Sequence, residues 1–328
     1  MSDIVVIGAG AYGTALAVHW SKNNKAVTLV TKTKEQADLL LTEQENKKYL
    51  KGISLHGVSI TNELSIIKQA KIVVLAIPSQ EYVGFLPLIQ SYVEKGCLVV
   101  IASKGIDVAS TRFLSDIVKE HLSNSIAVWS GPQFAFEVAS LLPSAVTLAC
   151  QNHNALSALI DNLSTPILRI YPTTDVLSVE LSGALKNVIA IACGIARGKN
   201  LGENAIAALM TRGLSEICRL GLKMGGCLET FLGLSGMGDL VLTCSSLTSR
   251  NTQFGMQLAQ SSDINSLILN PHLLAEGIFS VKAAYHLSKK YNVYMPITTA
   301  IYHLLYEQIP LERVILDLLS TKTHPESE

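Results

Sequence analysis

Charged side chains are scarce in this chain. Asp, Glu, Lys and Arg make up 16% of its 328 residues, against about 25% in typical soluble domains. Part of the surface is therefore expected to be covered, by a second domain or by a second copy in a homodimer. Neither sign of charge is in excess, since 26 basic residues face 26 acidic ones. No global field draws nucleic acid or an anionic membrane, so any anion site must be local. The six cysteines (Cys97, Cys150, Cys193, Cys218, Cys227 and Cys244) form no C-x-x-C pair and most lie in apolar surroundings. They read as reduced core residues of a cytoplasmic protein. The eight histidines show no pair at ligand spacing, so no metal centre is expected. Residues 1–22 lack the basic start and unbroken apolar region of a secretory signal, and export is not expected. The longest stretch without a charge, 138–160, is interrupted by Pro143 and by Gln151-Asn152-His153-Asn154, which excludes a membrane span there. There is no internal repeat and no low-complexity tract.

What is present begins at Asp3-Ile4-Val5-Val6-Ile7-Gly8-Ala9-Gly10-Ala11-Tyr12-Gly13-Thr14. An apolar strand runs directly into G-x-G-x-x-G and then into a helical run, the context that gives those glycines meaning. Gly8 permits the tight turn, Gly10 lets the backbone close on a pyrophosphate, and Gly13 lets the helix pack on the strand. The phosphates then meet the free N–H groups of the helix N-terminus. About 20 residues further on, an NAD-selective site usually places an acid on the ribose. Here the stretch is Thr28-Leu29-Val30-Thr31-Lys32-Thr33-Lys34, with no acid before Glu35. Lys32 or Lys34 can accept a 2′-phosphate, so NADPH is expected to serve at least as well as NADH.

Strand-length apolar runs recur at 27–30, 72–77, 98–101, 126–129, 145–149 and 167–170, mostly separated by amphipathic segments. This alternation predicts an N-terminal Rossmann-type, doubly wound α/β sheet, mostly parallel, over residues 1–176. Ligands of such sheets bind outside the carboxyl ends of the strands. From 177 to 328 the pattern turns helical, with segments at 177–197, 204–223, 250–259, 276–291, 298–307 and 311–319, so an all-helical substrate and catalytic domain is expected there.

Two segments of that second domain carry chemistry. In Glu180-Leu181-Ser182-Gly183-Ala184-Leu185-Lys186-Asn187-Val188-Ile189 one lysine sits among apolar and small residues. It is either a snorkelling side chain or a buried amine whose pKa falls far enough for proton exchange at neutral pH. Gly236-Met237-Gly238-Asp239-Leu240-Val241-Leu242-Thr243-Cys244-Ser245 leads to Ser249-Arg250-Asn251 at a helix start. Hydroxyls, backbone donors and a guanidinium fork suit a phosphate or carboxylate, although a capped helix with a solvated arginine has the same pattern. Asp239 is equally readable as a turn residue beside Gly238.

Over nearly its full length the chain resembles the bacterial NAD(P)-dependent sn-glycerol-3-phosphate dehydrogenases. The likeness lies in GAGAYGTALA from Gly8, ASKGI from Ala102, SGPQFAFEV from Ser130, VELSGALKNVIAIACGI from Val179, TRGLSEICRLGLKMGG from Thr211, GLSGMGDLVLTCSSLTSRN from Gly233 and AEGIFSVKAA from Ala275. It implies interconversion of dihydroxyacetone phosphate and glycerol 3-phosphate with NADP or NAD, serving phospholipid synthesis, in a cytoplasmic dimer. It also implies that Lys186 is the general acid/base, oriented with the substrate by Asn187 and Asp239. Lys104, Gly131, Thr243, Ser249, Arg250 and Asn251 are implied around the glycerol phosphate. Ala11, Tyr12, Lys32, Lys104, Ala135, Arg250, Leu274 and Glu276 are implied along the cofactor, beside the glycines. Gln133 is a departure, because the family usually carries Ser or Thr there as a substrate contact.

Other readings of the same residues are a β-hydroxyacid dehydrogenase or ketopantoate-type reductase, which binds a carboxylate, and a non-catalytic NAD(P) sensor, which needs no proton donor. The Tyr285-x-x-x-Lys289 spacing of short-chain reductases lies too far downstream to count.

Overall fold

The computed structural model describes residues 3–261, 263–269 and 275–319. Ten strands precede residue 174: β1 (Ile4–Ile7), β2 (Val27–Val30), β3 (Glu45–Asn46), β4 (Leu50–Ser54), β5 (Ser59–Thr61), β6 (Ile72–Leu75), β7 (Leu98–Ile101), β8 (Ile126–Ser130), β9 (Ser144–Ala149) and β10 (Leu168–Thr173). Eight of them form one sheet in the order β10-β9-β8-β7-β6-β1-β2-β5, and β3 pairs with β4 as a separate hairpin. The sheet is parallel from β5 to β8, as the alternating pattern predicts, and the strand order reverses direction between β1 and β6.

β9 runs antiparallel to β8, and β10 then follows β9 in parallel. The link from β8 to β9 holds only the short helix Ala135–Ala139. It turns the chain back instead of carrying it to the far end of the sheet, whereas the helix His153–Leu163 gives β10 a full crossover. The central strands are buried on both faces, so they read as unbroken Val/Ile/Leu runs.

Past Thr173 the described regular elements are all helical. The helix Val176–Gly198 begins at Asp175, whose carboxylate accepts from Ser178 N. It is long and apolar enough to cross a membrane, yet almost all of that stretch is buried inside the domain. Helices Glu203–Lys223, Arg250–Gln260 and Glu276–Tyr291 pack around it. The contact with Arg250–Gln260 is backbone to backbone: a Cβ on Gly194 would collide with Thr252 O, and one on Gly255 with Ile191 O. Four cysteines are buried as expected, but Cys218 is only partly covered and Cys227 is exposed.

Candidate active site

The glycine-rich turn leaves β1 and enters the helix Ala11–Lys22. Gly8 has φ +110°, and a Cβ on it would lie 2.5 Å from Ala76 O at the end of β6. A Cβ on Gly13 would collide with Gly8 O, whereas one on Gly10 would meet nothing within 4 Å. Gly8 and Gly13 are thus fixed by packing, and Gly10 leaves room for a ligand over the helix N-terminus. The first N–H groups there have no partner inside the helix. This arrangement fits a dinucleotide pyrophosphate.

Lys32 lies past the end of β2, exposed, and pairs with Glu81 at 3.0 Å. Lys34 opens the helix Lys34–Glu43, whose N-cap is Thr33.

Loops from the sheet and helices from the second domain meet at a buried carboxylate. The helix Asp239–Ser245 places Asp239 and Thr243 one turn apart on one face. Asp239 is 1% exposed. Its Oδ1 lies 2.5 Å from Lys186 Nζ, and its Oδ2 lies 2.5 Å from Lys104 Nζ. Lys186 also donates to Thr243 Oγ1 at 2.7 Å, and Lys104 donates to Gly131 O at 3.0 Å. Asp239 therefore starts a helix and bridges two cations.

Burial is the largest influence on the Lys186 amine and pulls its pKa down to about 8. The Asp239 charge opposes that fall and the Lys104 charge adds to it. Such an amine exchanges a proton readily near neutral pH. Gly183, one helical turn before Asn187, lets the sheet approach: a Cβ there would lie 2.9 Å from Ser130 Oγ and 3.5 Å from Lys104 Cγ. Ser130 Oγ is buried without a hydrogen-bond partner.

Asn187 and Asn251 form a relay between three helices. Asn187 Nδ2 donates to Gly183 O (3.3 Å), Asn251 Nδ2 donates to Asn187 Oδ1 (2.8 Å), and Gly277 N donates to Asn251 Oδ1 (2.9 Å). Ser249 is the N-cap of Arg250–Gln260, accepting from Thr252 N, so its hydroxyl has a structural task. Arg250 is exposed at the start of that helix, and its charge is felt by the Glu276 carboxyl. Glu276 opens the helix Glu276–Tyr291 and accepts from Ser79 N (3.2 Å) and Ser79 Oγ (2.5 Å), with burial raising its pKa.

Among the expected cofactor residues, Ala11, Tyr12 and Ala135 stand partly exposed at helix starts. Leu274 lies outside the described residues. Ser79, past the end of β6, and Ser130, the last residue of β8, belong to the polar strand-end segments 76–80 and 130–133, where ligands of such sheets bind, although neither is expected from the sequence to hold a specific role. Tyr285 stacks on Tyr302, with ring centroids 3.8 Å apart, and Lys289 lies over its ring, so that pair has a packing role.

Residues 3–156 match the family described as NAD-dependent glycerol-3-phosphate dehydrogenase N-terminus, and residues 175–316 match the corresponding C-terminus. The chain is 40% identical over 309 residues to the glycerol-3-phosphate dehydrogenase [NAD(P)+] of Desulfitobacterium hafniense, covering 94% of this chain and 88% of that one. It is 38% identical to the enzyme of the same name from Thermoanaerobacter sp., covering 98% of each. The crystal structure of glycerol-3-phosphate dehydrogenase from Coxiella burnetii superposes with a TM-score of 0.92 at 33% identity, covering 97% of this chain and 98% of that one. A ketopantoate reductase from Ralstonia eutropha shares the fold alone, with a TM-score of 0.59 at 12% identity and coverage of 95% and 99%.

Proposed function

This chain belongs to the NAD-dependent glycerol-3-phosphate dehydrogenase family, and from that premise we propose how its residues carry the reaction. The protein is an NAD(P)-dependent oxidoreductase that interconverts sn-glycerol 3-phosphate and dihydroxyacetone phosphate. When bound, the nicotinamide cofactor supplies or takes the hydride at C2. The proton is the protein's task. Lys186 gives it to the alkoxide developing at C2 during reduction and takes it back during oxidation, and its positive charge stabilises that alkoxide. Asp239 holds the amine in place and keeps part of its basicity, while Thr243 fixes its direction. Lys104, Arg250 and Asn251 hold the phosphate end, so that phosphate binding is spent on orienting C2. The observation that supports this division most directly is the buried Lys186–Asp239–Lys104 bridge where the two halves of the chain meet.

The reaction is tested by following NADPH absorbance on adding dihydroxyacetone phosphate, with 2-keto acids in parallel. Rapid oxidation with the phosphate alone is expected. Oxidation with only the acids would overturn the substrate assignment. NADPH is expected to serve at least as well as NADH, with Lys32 leaving Glu81 for the 2′-phosphate; a clear KM preference for NADH would contradict this. The division into 1–176 and 177–328 is proposed as the functional one, with the long helix starting at Val176. A homodimer is proposed through the helical domain, where Leu201, Leu222, Leu228, Leu232, Met237 and Val241 are exposed. Sedimentation equilibrium at the 35.3 kDa monomer mass would exclude it.

A further inference from the structure

Three side chains of the first domain close a hydrogen-bonded triangle beside the glycine-rich turn. The Tyr12 hydroxyl donates to Gln133 Oε1 at 2.5 Å. The Trp129 indole Nε1 lies 2.7 Å from the Tyr12 hydroxyl and 3.0 Å from Gln133 Oε1. An indole N–H only donates, so the Gln133 amide faces it with its oxygen. Gln133 Nε2 is consequently turned into the protein, where it is buried without a hydrogen-bond partner. The side chain offers the cleft neither of its polar atoms, because the oxygen is taken and the nitrogen is enclosed.

The triangle acts on the turn. Tyr12 is the second residue of the helix Ala11–Lys22, so its own N–H belongs to the donors left free at that helix start. Tying its ring to β8 and to the loop after β8 fixes those donors relative to Gly131, whose carbonyl holds Lys104. Trp129 is a stiff anchor for this purpose, fully buried and packed edge-on against Trp20 with centroids 5.8 Å apart.

We propose that Gln133 is a positioning residue for the dinucleotide, locking the Tyr12 turn that cradles the pyrophosphate, and is not a ligand of the phosphorylated substrate. This rests on the reading of residues 8–13 as the dinucleotide site. The test is a titration of NADPH fluorescence, without substrate, on the wild type, Gln133→Leu, Tyr12→Phe and the double variant. Each single change is expected to weaken NADPH binding about three- to tenfold, the worth of one neutral hydrogen bond. The double variant is expected to bind no worse than the weaker single one, because both changes break the same contact. KM for dihydroxyacetone phosphate at saturating NADPH stays within about twofold of wild type, since on this account no substrate contact is lost. Unchanged NADPH affinity in both single variants, fully additive losses, or a Gln133→Leu effect confined to the substrate KM would each overturn the proposal. Tyr12→Phe keeps the ring and its packing, so it decides the matter even where Gln133→Leu folds poorly. Because the titration contains no substrate, it also decides the proposal where the wild type fails to reduce dihydroxyacetone phosphate, a failure that counts against the proposed function alone.

Discussion

At the scale of single residues, the proposed chemistry depends on opposing influences at the Lys186 amine. Burial drives its pKa down to about 8 while Asp239 holds it up. In the reducing direction the protonated amine is the reactive form, so kcat/KM for dihydroxyacetone phosphate should fall as pH rises through about 8. In the oxidising direction the neutral amine is needed, and the rate should rise through the same midpoint. Removing the Asp239 charge removes an upward influence, so Asp239→Asn should move that midpoint to lower pH. A pH–rate profile with an unmoved midpoint would contradict the assignment. In the proposed mechanism Arg250 acts on the other end of the substrate. Arg250→Ala should raise KM for dihydroxyacetone phosphate about ten- to a hundredfold, the worth of a hydrogen bond to a charged group, with a much smaller change in NADPH binding. Equal effects on both ligands would contradict that role. Lys186 was legible in the sequence as one lysine in an apolar run. Asp239 was legible through the family resemblance but not from its neighbours, since beside Gly238 it reads equally as a turn, and the helix that starts there is what aims it at two lysines. Ser79 lies in the polar strand-end segment Ala76-Ile77-Pro78-Ser79-Gln80, which is readable locally, but its bond to Glu276 is not, because that partner is 197 residues away.

At the scale of elements, the site depends on how closely two helices approach. Val176–Gly198 carries Lys186 and Asn187, and Arg250–Gln260 carries Arg250 and Asn251. Gly194 and Gly255 allow their backbones to touch. Gly255→Ala should force them apart, costing about 1–3 kcal/mol as an overpacked core does, and should stretch the Asn187–Asn251 bond. Urea unfolding measures the loss, and unaltered stability would contradict the packing account. The central strands and long helices were readable because burial on both faces, or around a whole helix, leaves apolar runs of the right length. The hairpin β3–β4 and the edge strand β5 were missed. Ser59-Ile60-Thr61 is a three-residue edge with one buried side chain, too short to show a period. The reversal at β9 was also hidden, since strand direction is set by connection length and not by the residues of the strand.

At the scale of the whole molecule, the proposed active site exists only because two halves of the chain meet. The sheet contributes Lys104, Ser79 and the glycine-rich turn, and the helical half contributes Lys186, Asp239 and Glu276. Glu180 adds a further tie by accepting from Ser115 N at 2.9 Å and from Ser115 Oγ at 2.5 Å across the junction, and burial raises its pKa to about 7. Low overall charge fits a chain that covers so much of itself in this way. The central claim is that Lys186 moves the proton while other residues hold the ligands. Its most direct test is the rate of NADPH oxidation by dihydroxyacetone phosphate in the wild type and in Lys186→Ala, with NADPH affinity measured on both. Lys186→Ala is expected to lose about 10²–10⁴-fold in kcat, the usual worth of a general acid, while binding NADPH as the wild type does. Turnover near the wild-type rate, with NADPH still bound, would contradict the account.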